Sequence, residues 1–287
     1  MRRGRAFIGT SGWIYPHWNG RFYPAGLPSK RQLAFMASQF STVEVNGTFY
    51  SLSRPSCFEK WRADTPDDFL FAIKGSRYLT HMLKLKEPKT PLANFFAQGV
   101  LLLGEKLGPI LWQLPPQLAF HADKARAFFD LLPRDLADAE RLARKHDHRL
   151  DGRSALRAPD GHGRPLRHAL EIRHASWLDE AALQLMCEYD VALVTADTAD
   201  RHPLSLERTS DAFAYVRLHG ARKLYASRYT DGELDDWAAL VDGWRARGSD
   251  VYVYFDNDNK AYAPGDARRL LERVDPRLRQ SPVDAHP

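Results

Sequence analysis

Polar residues recur at one parity inside short runs that are otherwise apolar. In Thr42-Val43-Glu44-Val45-Asn46 the valines share one face of an extended strand, and Glu44 and Asn46 share the other, because successive side chains point to opposite sides. The same alternation returns in Leu170-Glu171-Ile172-Arg173 and Val216-Arg217-Leu218-His219. Runs that read as strands occupy residues 6–12, 42–46, 69–74, 109–114, 168–173, 191–197, 213–219 and 251–256. Amphipathic stretches at residues 29–39, 55–63, 91–106, 122–132, 178–189, 234–247 and 264–274 predict helices between most of them. The connection at 198–212 is short and contains Pro203, which argues against a full helix there. Eight strands with crossover helices predict an α/β fold, a single (βα)8 TIM-type barrel domain over residues 1–287. A doubly wound open sheet is the alternative, but no Gly-x-Gly-x-x-Gly follows the first strand.

One segment breaks the rhythm before the fifth strand. Residues 136–166 carry Lys145-His146-Asp147-His148 and many arginines, and read as a polar insertion, either a helix with a long loop or a small subdomain. His146 and His148 are not assigned to a metal.

Charged residues make up 27% of the chain and hydrophobic ones 44%, which excludes a disordered chain and supplies ample material for a core. The net charge of +5 permits an anionic partner without demanding one, since the excess arginine is spread along the chain. Cys57 and Cys187 sit on separate predicted helices with no metal-ligand spacing, which fits a reducing compartment and argues against disulfides or structural zinc. No apolar run approaches about 18 residues, so no membrane partner is expected and the protein reads as cytoplasmic.

Strand parity sends Glu44, Asn46, Lys74, Gln113, Glu171, Arg173, Asp197, Arg217, His219 and Asp256 toward the barrel interior. Four carboxylates thus face three permanent cations and a histidine, and pairs such as Glu171 with Arg173 or Arg217 would neutralise one another. So many polar groups in place of an apolar interior point to a site at the C-terminal strand ends. Aromatics follow the strands there: Trp13, Tyr15, Trp18, Phe22 and Tyr23 after the first, Phe49 and Tyr50 after the second, Tyr225 and Tyr229 after the seventh. Such rings either pack the loops onto the rim or stack on a sugar or base. Arg77, His81 and Lys84 add positive charge beside Lys74 and invite a phosphate or carboxylate. Ser11 has no nucleophile elbow around it and reads as a hydrogen-bonding group.

Several motifs in order carry a resemblance. Gly9-Thr10-Ser11-Gly12-Trp13 with Tyr15 and Trp18, then Val43-Glu44-Val45-Asn46-Gly47-Thr48-Phe49-Tyr50, then Lys74 with Arg77 and Thr80-His81, resemble successive motifs of the YecE-like family, also called domain of unknown function number 72. The likeness continues through Gln113-Leu114-Pro115-Pro116, Glu171-Ile172-Arg173-His174-Ala175-Ser176-Trp177, Asp197-Thr198 and Tyr215-Val216-Arg217-Leu218-His219-Gly220, covering nearly the whole chain. The resemblance implies a TIM-type barrel and no established activity or cofactor. This chain departs from the family at Phe255-Asp256-Asn257, where two asparagines usually follow the aromatic residue, and in the length of residues 136–166.

These readings converge on a cytoplasmic barrel enzyme acting on a small anionic, sugar- or nucleotide-like substrate by metal-free acid/base chemistry. Glu171 or Glu44 would move the proton, Lys74, Arg173 and Arg217 would stabilise charge, and His219 would be a second acid/base, with Asp197 completing the set. Ser11, Trp13, Tyr15, Asn46, Tyr50, Arg77, His81, Gln113, Tyr225, Asp256 and Asn257 would contact the substrate. In the alternative enzyme reading, Glu44, Glu171, Asp197 and His219 hold a divalent metal for phosphodiester or sugar chemistry, against competition from the three cations. A non-catalytic barrel binding nucleic acid or another ligand is the reading from a different class, and the oligomeric state stays open.

Overall fold

The computed structural model describes residues 2–159 and 163–275. Eight strands, β1 (Ala6–Ser11), β2 (Thr42–Val45), β3 (Leu70–Lys74), β4 (Leu107–Gln113), β5 (His168–Glu171), β6 (Val191–Asp197), β7 (Phe213–Leu218) and β8 (Asp250–Phe255), pair in parallel with their neighbours in sequence order. The barrel closes where Thr10 of β1 registers with Phe255 of β8. Helices α1 (Gln32–Gln39), α2 (Gly47–Tyr50), α3 (Pro55–Ala63), α4 (Lys89–Ala97), α5 (Ala122–Phe129), α6 (Leu136–Ala143), α7 (Glu180–Glu188), α8 (Asp231–Ala246) and α9 (Tyr262–Val274) fill the crossovers. The architecture is the (βα)8 TIM-type barrel predicted from the alternation.

Residues 198–212 form no helix; they lie against β6 through Thr209, whose hydroxyl accepts from the Leu193 amide at 2.7 Å and donates to the Val191 carbonyl at 2.7 Å. The helix read over residues 91–106 is shorter than its pattern. It ends at Ala97, because Gly99 takes φ +124° and a side chain there would meet Pro55 Cα at 2.8 Å. The segment 136–166 is a helix with a returning loop, not a purely solvated insertion. Leu136, Ala139, Leu142 and Ala143 of α6 are buried, and the Leu136 amide donates to Arg164 while the Leu166 amide donates to Arg134. Residues 160–162 of that segment lie outside the described residues.

The core has two parts. A shell of aliphatic and aromatic side chains fills the space between strands and helices. Inside the barrel, Phe7, Phe213 and Tyr252 plug the N-terminal end, with Leu111, Val194, Tyr215 and Tyr254 above them. Ala72, Ala169, Ala192 and Ala196 are the small interior partners that leave room for these rings and for the long polar side chains nearer the other end. No helix among the described residues is long and apolar enough to cross a membrane.

Candidate functional site

The interior face of β7 carries Phe213, Tyr215 and Arg217, so the arginine stands at the C-terminal end of the barrel on top of an aromatic layer. Its guanidinium is 1% exposed and every N–H is engaged. Nε donates to Glu44 Oε2 at 3.0 Å and Nη1 to Glu171 Oε2 at 2.7 Å. Nη2 is shared among Glu44 Oε1 at 2.8 Å, Asp256 Oδ2 at 2.9 Å and Ser11 Oγ at 3.0 Å. One cation from β7 therefore ties together residues of β1, β2 and β5 and the end of β8.

The carboxylates are held from their other sides as well. Glu44 accepts from the Ser11 hydroxyl and from Tyr215 OH at 2.7 Å. Glu171 accepts from Gln113 Nε2 at 2.7 Å and Arg173 Nε at 3.3 Å. Burial alone would push the Glu171 carboxyl up, but Arg217 and then Arg173 outweigh it and hold it far below the usual carboxylate range. Asp256 is likewise lowered against its burial, chiefly by Arg217. Asp256 is thus an additional counter-ion for Arg217. Removing one partner from such a buried set costs about 3–5 kcal/mol.

Arg217 also donates Nη1 to His219 Nε2 at 3.3 Å; since a guanidinium only donates, this Nε2 is the acceptor and the ring proton sits on Nδ1. That Nδ1 lies 2.9 Å from Asp256 Oδ2, though without the alignment of a hydrogen bond. His219 is fully buried beneath the ring of Tyr225, centroids 5.4 Å apart.

Lys74, at the end of β3, behaves differently from Arg217. Its ammonium makes no hydrogen bond or ion pair among the described residues; it lies 4.4 Å from the centroid of Phe49, over the ring face. Burial, and then Arg217, lower its pKa to about 8, with Glu171, Glu44 and Asp256 acting the other way. His81, on the turn Tyr78–Met82, packs edge-on against the same Phe49 ring at 5.1 Å. Burial, then Arg173, Lys74 and Arg77, lower His81 to about 4, so it is an uncharged imidazole at neutral pH. Arg173 uses only Nε toward Glu171, and its two terminal nitrogens have no partner among the described residues. Arg77 is exposed and unpaired among the same residues.

Of the residues given an inward face by parity, Asp197 is a correction. The interior face of β6 is Ala192, Val194 and Ala196, so Asp197 has the opposite parity; its carboxylate accepts from Tyr229 OH at 2.8 Å and the Ala199 amide at 3.3 Å. Asn257 also turns away from the mouth. It is buried, and its Nδ2 donates to the Ser227 carbonyl and to Asp266, both at 2.9 Å, tying the loop after β7 to α9. Trp13 is no platform: it is buried edge-on against Trp61 of α3 at 5.5 Å and anchors its loop.

Tyr15 is half-buried and donates to the Ser11 carbonyl at 2.6 Å, closing the turn at Gly12, where φ is +88° and a side chain would meet the Tyr15 hydroxyl at 2.9 Å. Asn46 donates to Ser11 Oγ at 2.8 Å from the edge of the site. Tyr50, 68% exposed, and Tyr225, 39% exposed, are the aromatics of the set left open at the mouth. Tyr215 is a functional neighbour that pattern reading missed; it precedes Arg217 by two and shares its face, so the parity that marked Arg217 also marked it.

The four donors considered for a metal do not assemble, because Asp197 faces away and Arg217 occupies the space between Glu44 and Glu171. No group of three or more His, Cys, Asp or Glu suited to a metal ion occurs among the described residues. A cavity of about 660 Å³ opens at the opposite end, lined in part by Arg5, Phe7, Arg164, Arg167 and Asp250. There Arg167 pairs with Asp250 at 2.8 Å, and that face of a barrel carries stability, not chemistry.

A model of the family described as "Protein of unknown function DUF72" matches residues 7–287. The chain belongs to the DUF72 family. A DUF72 relative, UPF0759 protein YunF of Bacillus subtilis (strain 168), is 24% identical over 297 residues, 94% of each chain. UPF0759 protein YecE of Escherichia coli (strain K12) is 29% identical over 109 residues, 38% of this chain and 37% of that one. The crystal structure of a DUF72 protein of Thermotoga maritima superposes with a TM-score of 0.74 at 25% identity, covering 94% of this chain and 99% of that one. A second DUF72 structure, from Enterococcus faecalis, gives 0.70 at 18% identity and agrees in fold. The YecE-like resemblance read from the motifs is therefore correct, and DUF72 as a family name states no reaction.

Proposed function

We propose that this DUF72 barrel is an enzyme acting on a small anionic, sugar- or nucleotide-like substrate by acid/base chemistry at its C-terminal mouth, with Lys74 as the proton-transfer group. The observation that carries the reading is the contrast between two cations of one site. Arg217 has spent every donor on protein groups, whereas Lys74 is buried to 7% exposure, unpaired, and lowered to about 8. A buried charge without a partner is costly, and a pKa near the working pH is what a general base needs. Glu44 and Glu171, considered for this role on pattern alone, are pinned by Arg217, and Glu171 stays ionised. They serve better as the frame that fixes Arg173 and sets the field around Lys74. The free fork of Arg173, with exposed Arg77, supplies donors for a phosphate or carboxylate.

Thermal-shift measurements with phosphate, sulfate and nucleoside monophosphates test the reading. An anion that binds the folded state at 100 times its Kd adds about 2.7 kcal/mol of stability. That stabilisation should be present in the native protein and lost in Arg173→Gln. No stabilisation by any anion overturns it. Exposed Tyr50 and Tyr225, with exposed Arg77 after β3, favour a second reading, a barrel that binds single-stranded nucleic acid. A binding constant that falls steeply with salt supports that one, whereas a small-ligand pocket responds far less.

A further inference from the structure

We propose that Lys74 is a nucleophile that condenses with the carbonyl group of a small aldehyde or ketone carrying a phosphate or carboxylate. The proposal deepens the reading of the mouth as an anion-binding catalytic site and names its substrate class. An amine serves as a nucleophile when its lone pair is free and no carboxylate holds it as ammonium. Lys74 Nζ has no ion pair among the described residues, and the Phe49 face beneath it fixes its position at 4.4 Å from the ring centroid. The charges around it come from every side of the barrel: Arg217 of β7 disfavours the ammonium, while Glu171 of β5, Glu44 of β2 and Asp256 after β8 favour it without contact. Phe49 also seats the His81 ring on its edge, so an uncharged imidazole and the amine flank one aromatic group. Arg173 acts on His81 through its charge, and the two terminal guanidinium nitrogens, without a partner among the described residues, suit the anionic end of the substrate.

The step balances within the site. The Lys74 lone pair forms a C–N bond to the carbonyl carbon, and the C=O π pair moves to oxygen, which takes a proton. The nitrogen then loses a proton, the hydroxyl is protonated and departs as water while the nitrogen lone pair forms the C=N bond, and the resulting iminium gives up its N–H proton to leave the imine. The net reaction is amine plus carbonyl to imine plus water, with no oxidant or reductant. His81 packs on the same Phe49 ring as Lys74; its Nδ1 is engaged with the Thr80 hydroxyl at 2.9 Å, which leaves Nε2 as the ring nitrogen to exchange one of these protons.

The test uses the full chain with pyruvate, glyceraldehyde 3-phosphate and ribose 5-phosphate as probes, acetaldehyde as the uncharged control, and cyanoborohydride to trap an imine. Intact mass and peptide mapping locate the adduct. The expected result is one adduct per chain on Lys74, with exposed Lys84 and Lys86 modified at a tenth of that extent or less. Inorganic phosphate should protect Lys74, Arg173→Gln should lower its labelling about tenfold, and trapping should rise with pH through about 8. Labelling of Lys84 and Lys86 at the same rate as Lys74, or none at Lys74, overturns the proposal. If phosphate stabilises the native protein yet Lys74 is never trapped, the imine fails while the acid/base reading stands. If phosphate neither stabilises nor protects, both fail. The decisive labelling is read on the unmodified chain, so poor folding of a variant does not blunt it.

Discussion

Replacing Arg217 with Met keeps much of the stem's packing but deletes the guanidinium that Glu44, Glu171 and Asp256 all contact. Three carboxylates would then lie around one end of the barrel interior with Arg173 as the sole guanidinium, among the described residues, still paired to any of them. Breaking one buried pair costs about 3–5 kcal/mol, and we place the loss at neutral pH at or above that range. For a chain of this size the melting temperature should fall by on the order of 10 °C. The pH dependence has a definite sign. In the native protein Glu171 and Asp256 titrate below their unfolded values, so they contribute stability that is present above the unfolded carboxylate pKa and lost as pH falls through the folded one. The variant lacks that contribution, and its carboxyls can instead be buried protonated. The deficit should therefore shrink as pH falls from about 7 to about 4.5. Urea unfolding followed by tryptophan fluorescence at the two pH values measures it, and adding Glu171→Gln should recover part of the loss. A loss under about 1 kcal/mol, or an equal deficit at both pH values, would mean that the guanidinium faces water and the network is not what holds the site.

Trp13→Ala should cost about 3–5 kcal/mol by unfolding, as for a core aromatic, while Tyr50→Ala stays within about 0.5 kcal/mol and acts only on ligand binding. Asp197→Asn should leave phosphate-induced thermal stabilisation unchanged, because that carboxylate points to the loops after β6 and β7 and not into the mouth. Chelator treatment should leave the melting temperature unchanged, since the mouth carboxylates already have Arg217 as counter-ion; a fall of several degrees would revive the metal reading.

The barrel was legible because a strand buried on its inner face still alternates when that face is polar. Glu44, Lys74, Gln113, Glu171 and Arg217 all kept the face their parity assigned. Asp197 failed because the polar residues of β6, Thr195 and Asp197, share the outward face, where the Thr195 hydroxyl donates to the Ser205 carbonyl at 3.0 Å, while the interior face is Ala192, Val194 and Ala196. Trp13 depended on Trp61, a residue of another helix that folding brings against it. Parity names a face and not the neighbour across the barrel. Nothing in the spacing of Lys74 and Arg217 distinguished an amine left free over Phe49 from a guanidinium with every donor engaged.

Lys74 is an amine at the mouth with no ion pair among the described residues, and its protonation is directly measurable. Carbon-13 labelling of lysine side chains lets the Lys74 Cε resonance, assigned by its absence in Lys74→Met, be followed through a pH titration. The predicted midpoint is about 8, and it should rise when phosphate is added, because an anion bound nearby favours the ammonium. A midpoint at the ordinary lysine value of about 10.4 that phosphate does not move would contradict the account.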